Sequence, residues 1–166
     1  MNLKRIALFL LTITLSLTAY AQKDDGKHNE AYIKQRITAI YQQVGKGTDL
    51  DKRYSSKHYK DLDHQCAQLS RKRGEIYRDF DHWIVGQDVD DQWSYRIDRV
   101  QDITGKNASV YLTIHNFSDQ KVMLNLCFER GDWFIDDFIT YINDGDDGVE
   151  ISELKNMNEF LRNSQD

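Results

Sequence analysis

Residues 133–139, Trp-Phe-Ile-Asp-Asp-Phe-Ile, decide how the rest of the chain is arranged. A short run of aromatic and β-branched residues is typical of a β-strand. The preceding segment, 121–129, alternates polar and apolar residues, and its apolar set shares one face: Val122, Leu124, Leu126 and Phe128. A shift of one residue in the strand pairing would expose these apolar side chains to water. The alternation therefore predicts an antiparallel hairpin of fixed register.

The predicted hairpin places a carboxylate among apolar side chains. With Arg130-Gly131 as a two-residue turn, Leu126 faces Ile135 and Leu124 faces Asp137. Strand residues alternate between the two faces of a sheet. We therefore expect Asp137 on the inner, apolar face and its neighbour Asp136 on the outer face.

Two more strands precede this hairpin. The alternation predicts strands over 93–103 and 108–117, with a three-residue loop over 118–120. His115 alternates with the apolar set of its strand and is expected to point outward. The four strands together predict an antiparallel sheet.

The inner face of the first strand is mixed in character. If Trp93 and Tyr95 face inward, the same phase brings Arg99 and Gln101 to the inner face. The sequence therefore predicts aromatic walls beside one guanidinium and one amide.

Helices flank the predicted sheet. Apolar residues at helical spacing predict an amphipathic helix over 33–44 and a second one that begins after Ser55 or Ser56. A short C-terminal helix is expected over 151–161. The whole pattern predicts an α+β fold, with N-terminal helices packed on a strongly bent antiparallel sheet. We expect a single domain over 30–166.

The first 21 residues are typical of a secretory signal peptide. Lys4 and Arg5 precede an apolar run over 6–17, and Ala19-Tyr20-Ala21 fits a small-residue cleavage site. The run is short for a membrane span, which needs about 20 residues. We expect an exported protein without stable membrane insertion after cleavage, and a disordered mature N-terminus over 22–29.

Charge and cysteines exclude some classes of partner and site. The net charge of −5 becomes −7 once Lys4 and Arg5 are removed, and an acidic chain without a basic stripe argues against nucleic-acid binding. Cys66 lies on the inner stripe of its helix, whereas Cys127 falls on the outer face of the sheet. We therefore expect no disulfide between them.

The order of elements and two short motifs carry a resemblance to a known superfamily. The closing strand is similar to the Trp-x-Ile-x-Asp ending of the nuclear transport factor two-like superfamily, which has a cystatin-like cone fold. Residues 80–88, Phe-Asp-His-Trp-Ile-Val-Gly-Gln-Asp, resemble a segment of an uncharacterised group of exported bacterial domains. The resemblance covers Glu30 to Tyr141. It implies a periplasmic or secreted bacterial protein, and it leaves open a homodimer through the sheet.

Three hypotheses for function follow. The leading one is a non-enzymatic domain that binds a small molecule or a protein partner at the cone mouth. The candidate ligand-binding residues are Trp83, Asp88, Trp93, Tyr95, Arg99 and Asp137. The second is an isomerase- or dehydratase-like enzyme with Asp137 as general base, as the resemblance implies. The third is an interaction or immunity-type protein that uses outward residues of the sheet: Tyr111, His115 and Phe117.

Other motifs favour structural interpretations. Asp81 and His82 are adjacent, but adjacent strand residues point to opposite faces, so we expect a capping or turn role for them. The acidic segment 143–154 lacks the spacing of a calcium-binding loop. The chain has no phosphate-binding loop, no paired-cysteine metal spacing and no His-Glu-x-x-His motif. We therefore expect no cofactor and no metal.

Overall fold

The structure is a computed structural model that describes residues 26–142 and 149–163. The predicted signal peptide and the acidic turn at 143–148 lie outside the described residues. The fold is α+β: helices are followed by a five-stranded antiparallel sheet and a short C-terminal helix. In order, the elements are α1 (Glu30–Tyr41), α2 (Leu50–Tyr54), α3 (Lys57–Arg73), β1 (Ser94–Gln101), β2 (Asn107–Asn116), β3 (Ser118–Glu129), β4 (Asp132–Ile142), β5 (Val149–Ser152) and α4 (Glu153–Arg162).

Polar side chains set the starts of the helices. Asn29 accepts from the N–H of Tyr32 at the start of α1, and Ser56 accepts from the N–H of Tyr59 at 2.8 Å at the start of α3. The predicted serine cap is thus confirmed at Ser56. The five-residue α2 was not predicted, because it is too short to show a helical period. None of the described helices is long and apolar enough to cross a membrane.

The sheet has the strand order β1-β2-β3-β4-β5, and every neighbouring pair is antiparallel. The helices cover the face that carries the buried residues of β2 and β3. The core between them includes Ile33, Ile37, Tyr59, Leu112, Leu124, Trp133, Phe138 and Met157. We call the other face of the sheet the outer face.

The predicted register of β3 and β4 is correct as far as Leu126, which pairs with Ile135, and wrong beyond it. Asp136 is an extra residue, a β-bulge, so Asp137 pairs with Asn125, and Leu124 pairs with Phe138. The bulge lies where α3 meets the edge of β4: Ser56 donates from its hydroxyl to Asp136 at 2.5 Å and from its N–H to the carbonyl of Ile135 at 2.7 Å. Phe138, rather than Asp137, therefore enters the core.

A second bulge, in β1, changes the face of the sheet to which the following residues point. Ile97 pairs with Leu112 and Arg99 pairs with Tyr111, which leaves Asp98 as the extra residue. Arg99 and Gln101 therefore point to the outer face, and the prediction that they face inward is wrong. The carboxylate of Asp98 accepts from the hydroxyl of Thr113 at 2.7 Å, and this contact is made by the bulged residue.

The turn between β2 and β3 is tighter than predicted. Asn116 pairs with Ser118, so Phe117 alone forms the tip, and the predicted loop over 118–120 is wrong. The predicted and the observed registers of β2 and β3 differ by an even number of residues. Both therefore place the same apolar side chains on the same face, so the apolar pattern alone does not distinguish them. Asp90 settles the choice, because its carboxylate accepts from the N–H of Phe117 at 3.1 Å and its own N–H donates to the Asn116 side chain at 2.8 Å.

Residues 26–29, the described part of segment 22–29, include two residues that contact the sheet. The indole N–H of Trp133 donates to the carbonyl of Lys27 at 2.8 Å. The ring of His28 lies 4.2 Å from that of Phe128, centroid to centroid. The order of this segment thus depends on aromatic residues about 100 positions away.

The left-handed backbone of Phe117 predicts a stabilising substitution. Phe117 has φ = 61° and is 68% exposed. A residue with a Cβ atom loses roughly 1–2 kcal/mol in this conformation, whereas glycine does not. We expect Phe117→Gly to raise the free energy of unfolding by about 1 kcal/mol in urea titrations. Phe117→Ala, which keeps the strain, is the control, and equal stability of the two variants would contradict the explanation.

Candidate functional site

A cleft of about 360 Å³ opens between the end of α1, the helix α2 and the segment 78–93. We call it the tryptophan cleft. Its lining consists of Val44, Gly45, Thr48, Asp49, Leu50, Asp51, Arg78, Asp81, His82, Trp83, Ile84, Val89 and Trp93. Its volume lies within the range of roughly 300–1,000 Å³ that is usual for small-molecule sites.

A tight turn positions Trp83 in the cleft. Asp81 and Gly86 form an antiparallel bridge, and the Asp81 carboxylate accepts from the N–H of Trp83 at 2.7 Å. A Cβ atom on Gly86 would lie 2.5 Å from the side-chain nitrogen of Asn116, so the close approach requires glycine here. The structure thus confirms the predicted turn role of Asp81. The indole ring of Trp83 packs edge-on against Phe138 at 4.8 Å.

The second indole of the cleft belongs to Trp93, which immediately precedes β1. Its ring lies 5.9 Å from that of Tyr95, and Tyr95 in turn packs 4.9 Å from Tyr41 on α1. The Nε1–H of Trp93 is buried and has no hydrogen-bond partner among the described residues. Buried donors without a partner are rare in folded proteins.

A buried histidine, His82, connects Arg78 and Asp51 at the floor of the cleft. His82 is 2% exposed, and the guanidinium of Arg78 donates to its Nδ1 at 2.9 Å. Its Nε2 lies 2.9 Å from a carboxylate oxygen of Asp51. A guanidinium can only donate, so Nδ1 is the acceptor and the proton is on Nε2. Both ring nitrogens are therefore occupied.

Asp51 collects several donors at one oxygen. Besides His82, it accepts from the indole N–H of Trp83 at 3.0 Å and from the hydroxyl of Ser55 at 3.3 Å. Burial raises the pKa of Asp51, but the hydrogen bonds from His82 and Trp83 and the charge of Arg78 outweigh burial and hold this pKa below its ordinary value. Asp51 is therefore ionised throughout the neutral range.

Arg78 is shared by three carboxylates. It pairs with Asp63 on α3, and its nitrogens lie 3.6 Å from Asp51 and 3.5 Å from Glu153. Glu153, the first residue of α4, is 4% exposed, and burial raises its pKa. One buried cation thus joins α2, α3 and α4 to the turn that carries Trp83.

Asp137 lies outside the cleft and holds the start of α4. The hydroxyl of Ser152 donates to one of its oxygens at 2.6 Å, and the N–H of Leu154 donates to the other at 3.0 Å. Burial raises the pKa of Asp137. Its two oxygens are occupied by these structural contacts, so the interpretation as a pocket carboxylate is not supported by its position.

The other predicted ligand residues are divided among three places. Trp83 and Trp93 line the cleft, and Tyr95 stands behind Trp93 with its hydroxyl donating to the carbonyl of Thr38 at 3.3 Å. Asp88 is exposed, and its main-chain carbonyl, not its carboxylate, accepts from the Asn116 side chain. Arg99 lies on the outer face of the sheet.

The sequence did not single out Asp49, Asp51 or Arg78. Asp49 caps a short helix that contains Asp51 and is too short to show a helical period, and Arg78 lies in an irregular segment. Together with Asp81, they give the cleft lining three carboxylates and one guanidinium. The cleft is therefore net negative, and its single cation is already paired with acids.

The two cysteines take no part in the cleft. Cys66 and Cys127 are both free, as predicted. Burial raises the pKa of each thiol to about 11, so neither is a thiolate at neutral pH. Within 26–142 and 149–163, no group of three or more His, Cys, Asp or Glu side chains is arranged to hold a metal ion.

Comparison with known proteins adds no assignment. No family model, no curated protein and no solved structure matches the chain. The case for a function therefore depends on the geometry and the charges of the cleft.

Asp137 gives stability a specific pH dependence. Its raised pKa means that the folded state holds this proton more tightly than the unfolded chain, so this contribution to stability is lost as pH rises through the folded pKa. Asparagine does not titrate. We expect the free energy of unfolding of Asp137→Asn to rise relative to the wild type as the pH rises from about 4 through the raised pKa of Asp137. Urea titrations measure this difference, and a pH-independent difference would contradict it. Asp102→Asn, at an exposed position, is the control.

Removal of the shared cation is expected to be costly. Arg78→Met leaves the buried Glu153 and the half-buried Asp51 and Asp63 without their partner, which costs up to about 3–5 kcal/mol, the range for a fully buried pair. Arg78→Lys keeps the charge but loses the planar fork, so we expect a smaller loss. Arg162→Met, on the exposed side of α4, is expected to stay within about 0.5 kcal/mol of the wild type. Thermal and urea unfolding compare the three variants, and equal losses at Arg78 and Arg162 would refute the role of Arg78.

Proposed function

We propose that this chain is an exported, non-enzymatic binding domain that holds a small organic cation in the tryptophan cleft. The observation that carries the proposal is the pairing of two indole rings with three carboxylates around one open cleft. The cation is expected to have an apolar part, such as an alkyl chain or methyl groups, because apolar residues also line the cleft.

The charge of the cleft supports a cationic ligand. Asp49 and Asp81 each use one oxygen in a local hydrogen bond, to the N–H of Lys52 and to the N–H of Trp83, and their other oxygens have no partner among the described residues. Arg78, the only cation of the described lining, is paired with the half-buried Asp51 and Asp63 and with the buried Glu153. A ligand cation would therefore meet unopposed negative charge.

The two indoles supply the second element of recognition. A cation over the face of an aromatic ring is attracted by the quadrupole of the ring, and tryptophan gives the strongest attraction. The attraction is worth roughly 0.5–2 kcal/mol and grows as the cation loses water. Trp83 is held rigidly by its hydrogen bond to Asp51 and by Phe138, so its ring is already in place. A rigid wall reduces the entropy lost on binding.

The contacts of the acid–base candidates favour binding over catalysis. Both nitrogens of His82 are occupied, and the lowered pKa of Asp51 makes its carboxylate a weak base. Asp137, the general base of the isomerase-like hypothesis, accepts two structural hydrogen bonds outside the cleft. A general base must reach the proton that it removes, and these groups are not placed to do so.

The compartment and the finer fold belong to the same proposal. The signal-like N-terminus and the resemblance over residues 80–88 support a periplasmic or secreted bacterial protein. The α+β order with helices on one face of an antiparallel sheet is compatible with the cystatin-like cone. The two bulges, at Asp98 and Asp136, support a strong bend, because a bulge increases the local twist of a sheet. The cleft would then lie at the cone mouth.

The test uses choline, which is a compact cation, and 3,3-dimethylbutan-1-ol, which has the same shape without the charge. We expect isothermal titration calorimetry to detect choline binding to the wild type and at least tenfold weaker binding to the double variant Asp49→Asn and Asp81→Asn, since tenfold corresponds to about 1.4 kcal/mol. Asparagine keeps the capping acceptor at position 49 and the acceptor at position 81, so the fold is preserved.

The control variant removes the same charge elsewhere. Asp61→Asn with Asp119→Asn changes two exposed acids that do not line the cleft. It is expected to bind choline as the wild type does. Equal loss in both double variants, or equal binding of the neutral isostere, would refute a cation site in the tryptophan cleft.

A further inference from the structure

We propose that the outer face of the sheet carries a second ligand site, which binds an organic anion with an apolar body through Arg99. The site is a groove of about 460 Å³ that we call the outer groove. It is lined by Asp98, Arg99, Tyr111, Leu112, Lys121, Val122 and Tyr141. Strands β2 and β3 form its floor, and it shares no lining residue with the tryptophan cleft.

The β1 bulge creates this groove. The extra residue Asp98 shifts the phase of β1, so that Arg99 pairs with Tyr111 on the outer face. The guanidinium carbon of Arg99 lies 3.7 Å above the centroid of the Tyr111 ring. A guanidinium stacked in this way keeps its edge available, and this edge matches the two oxygens of a carboxylate or a phosphate.

Arg99 has no acidic partner of its own. Its Nε–H donates to the side-chain oxygen of Gln101 at 3.2 Å, and in the described part of the chain no carboxylate lies within 4 Å of its guanidinium. The neighbouring Arg96 differs, because it pairs with Asp98 at 2.8 Å. The guanidinium of Arg99 thus stacks on Tyr111 and forms no ion pair with a described carboxylate.

A second cation faces the groove from β3. The ammonium group of Lys121 lies 2.6 Å from the hydroxyl of Thr113 and 3.3 Å from Asp98. Asp98 is the only acid of the lining, and it already receives Arg96, Thr113 and Lys121. The lining is therefore net positive on a chain whose net charge is −5. This inversion favours an anion at the outer groove.

The rest of the lining favours an apolar body on that anion. The rings of Tyr111 and Tyr141 flank the groove, and the hydroxyl of Tyr141 lies 3.8 Å from the sulfur of Met123. The aromatic rings offer apolar surface to an aryl or alkyl group. The volume of the groove is that of a small-molecule site. An aryl or alkyl carboxylate, or a phosphate ester of similar size, therefore fits the chemistry.

Two other occupants of this face are disfavoured. A two-fold dimer through the outer face would set one net-positive groove against another, because such an interface brings the same patch of both subunits together. An added strand at the free edge of β1 meets a bulge and charged side chains, Arg96 and Asp98, which are features that block edge pairing.

The test uses 4-phenylbutyrate, its neutral amide and phenylpropyl phosphate as probes. We expect calorimetry to show binding of at least one of the two anions, no binding of the amide, and at least tenfold weaker anion binding by Arg99→Met. Arg162→Met is the matched control, because it removes an exposed arginine that does not line the groove. We expect it to bind the anions as the wild type does. Tighter binding of the phosphate ester would assign the groove to phosphates, and tighter binding of 4-phenylbutyrate would assign it to carboxylates.

Equal binding by the two variants, or binding of the amide as tight as that of the anions, would overturn the proposal. Arg99 is exposed, so its truncation opens no cavity in the core, and circular dichroism with urea unfolding verifies that the variant is folded. Choline binding is measured on the same samples. Its persistence in Arg99→Met shows that a failure of the outer groove is independent of the tryptophan cleft.

Discussion

The arrangement of the helices and of the cleft depends on the ion pairs of Arg78, whose guanidinium is largely buried. Three carboxylates from three helices, Asp51, Asp63 and Glu153, share this one cation. Each acid would be costly to bury alone, and the cation without them would be equally costly. The network therefore fixes where α2, α3 and α4 meet. It also fixes His82, because Arg78 donates to one ring nitrogen and so leaves the other to bind Asp51.

The two bulges decide what each face of the sheet presents. Without an extra residue in β4, Asp137 would lie opposite Leu124, and Phe138 would leave the core. With it, Phe138 packs beside His82 at 4.1 Å and supports the floor of the tryptophan cleft. The bulge in β1 similarly moves Arg99 to the outer face. In both strands the extra residue is an aspartate whose oxygens accept hydrogen bonds from hydroxyl groups, those of Ser56 and Thr113.

The sequence predicts those elements of the fold that are determined by residues close together in the chain. The alternation in β2 and β3, the serine cap of α3 and the helical stripe of α1 were readable because each rests on residues close in sequence. The bulges were not readable, since the hydroxyl that meets Asp136 is 80 residues away. The sequence predicted only part of the cleft. The two tryptophans were candidates because of their residue type, whereas Arg78 and Asp51 are recognised as site residues only from their contact in the fold.

The contacts of His82 with Arg78 and Asp51 are the reason why we propose recognition rather than catalysis for this cleft. In an acid–base pair, one nitrogen of the imidazole must be free to exchange a proton with substrate. In this cleft the guanidinium of Arg78 occupies that nitrogen, and Asp51 occupies the other. The lowered pKa of Asp51 keeps the carboxylate charged across the neutral range. A carboxylate that stays ionised and an imidazole with both nitrogens in hydrogen bonds are poorly placed for proton transfer. The proposed role, holding a cation against an aromatic wall, requires neither a proton transfer nor a rearrangement of these groups when the ligand binds.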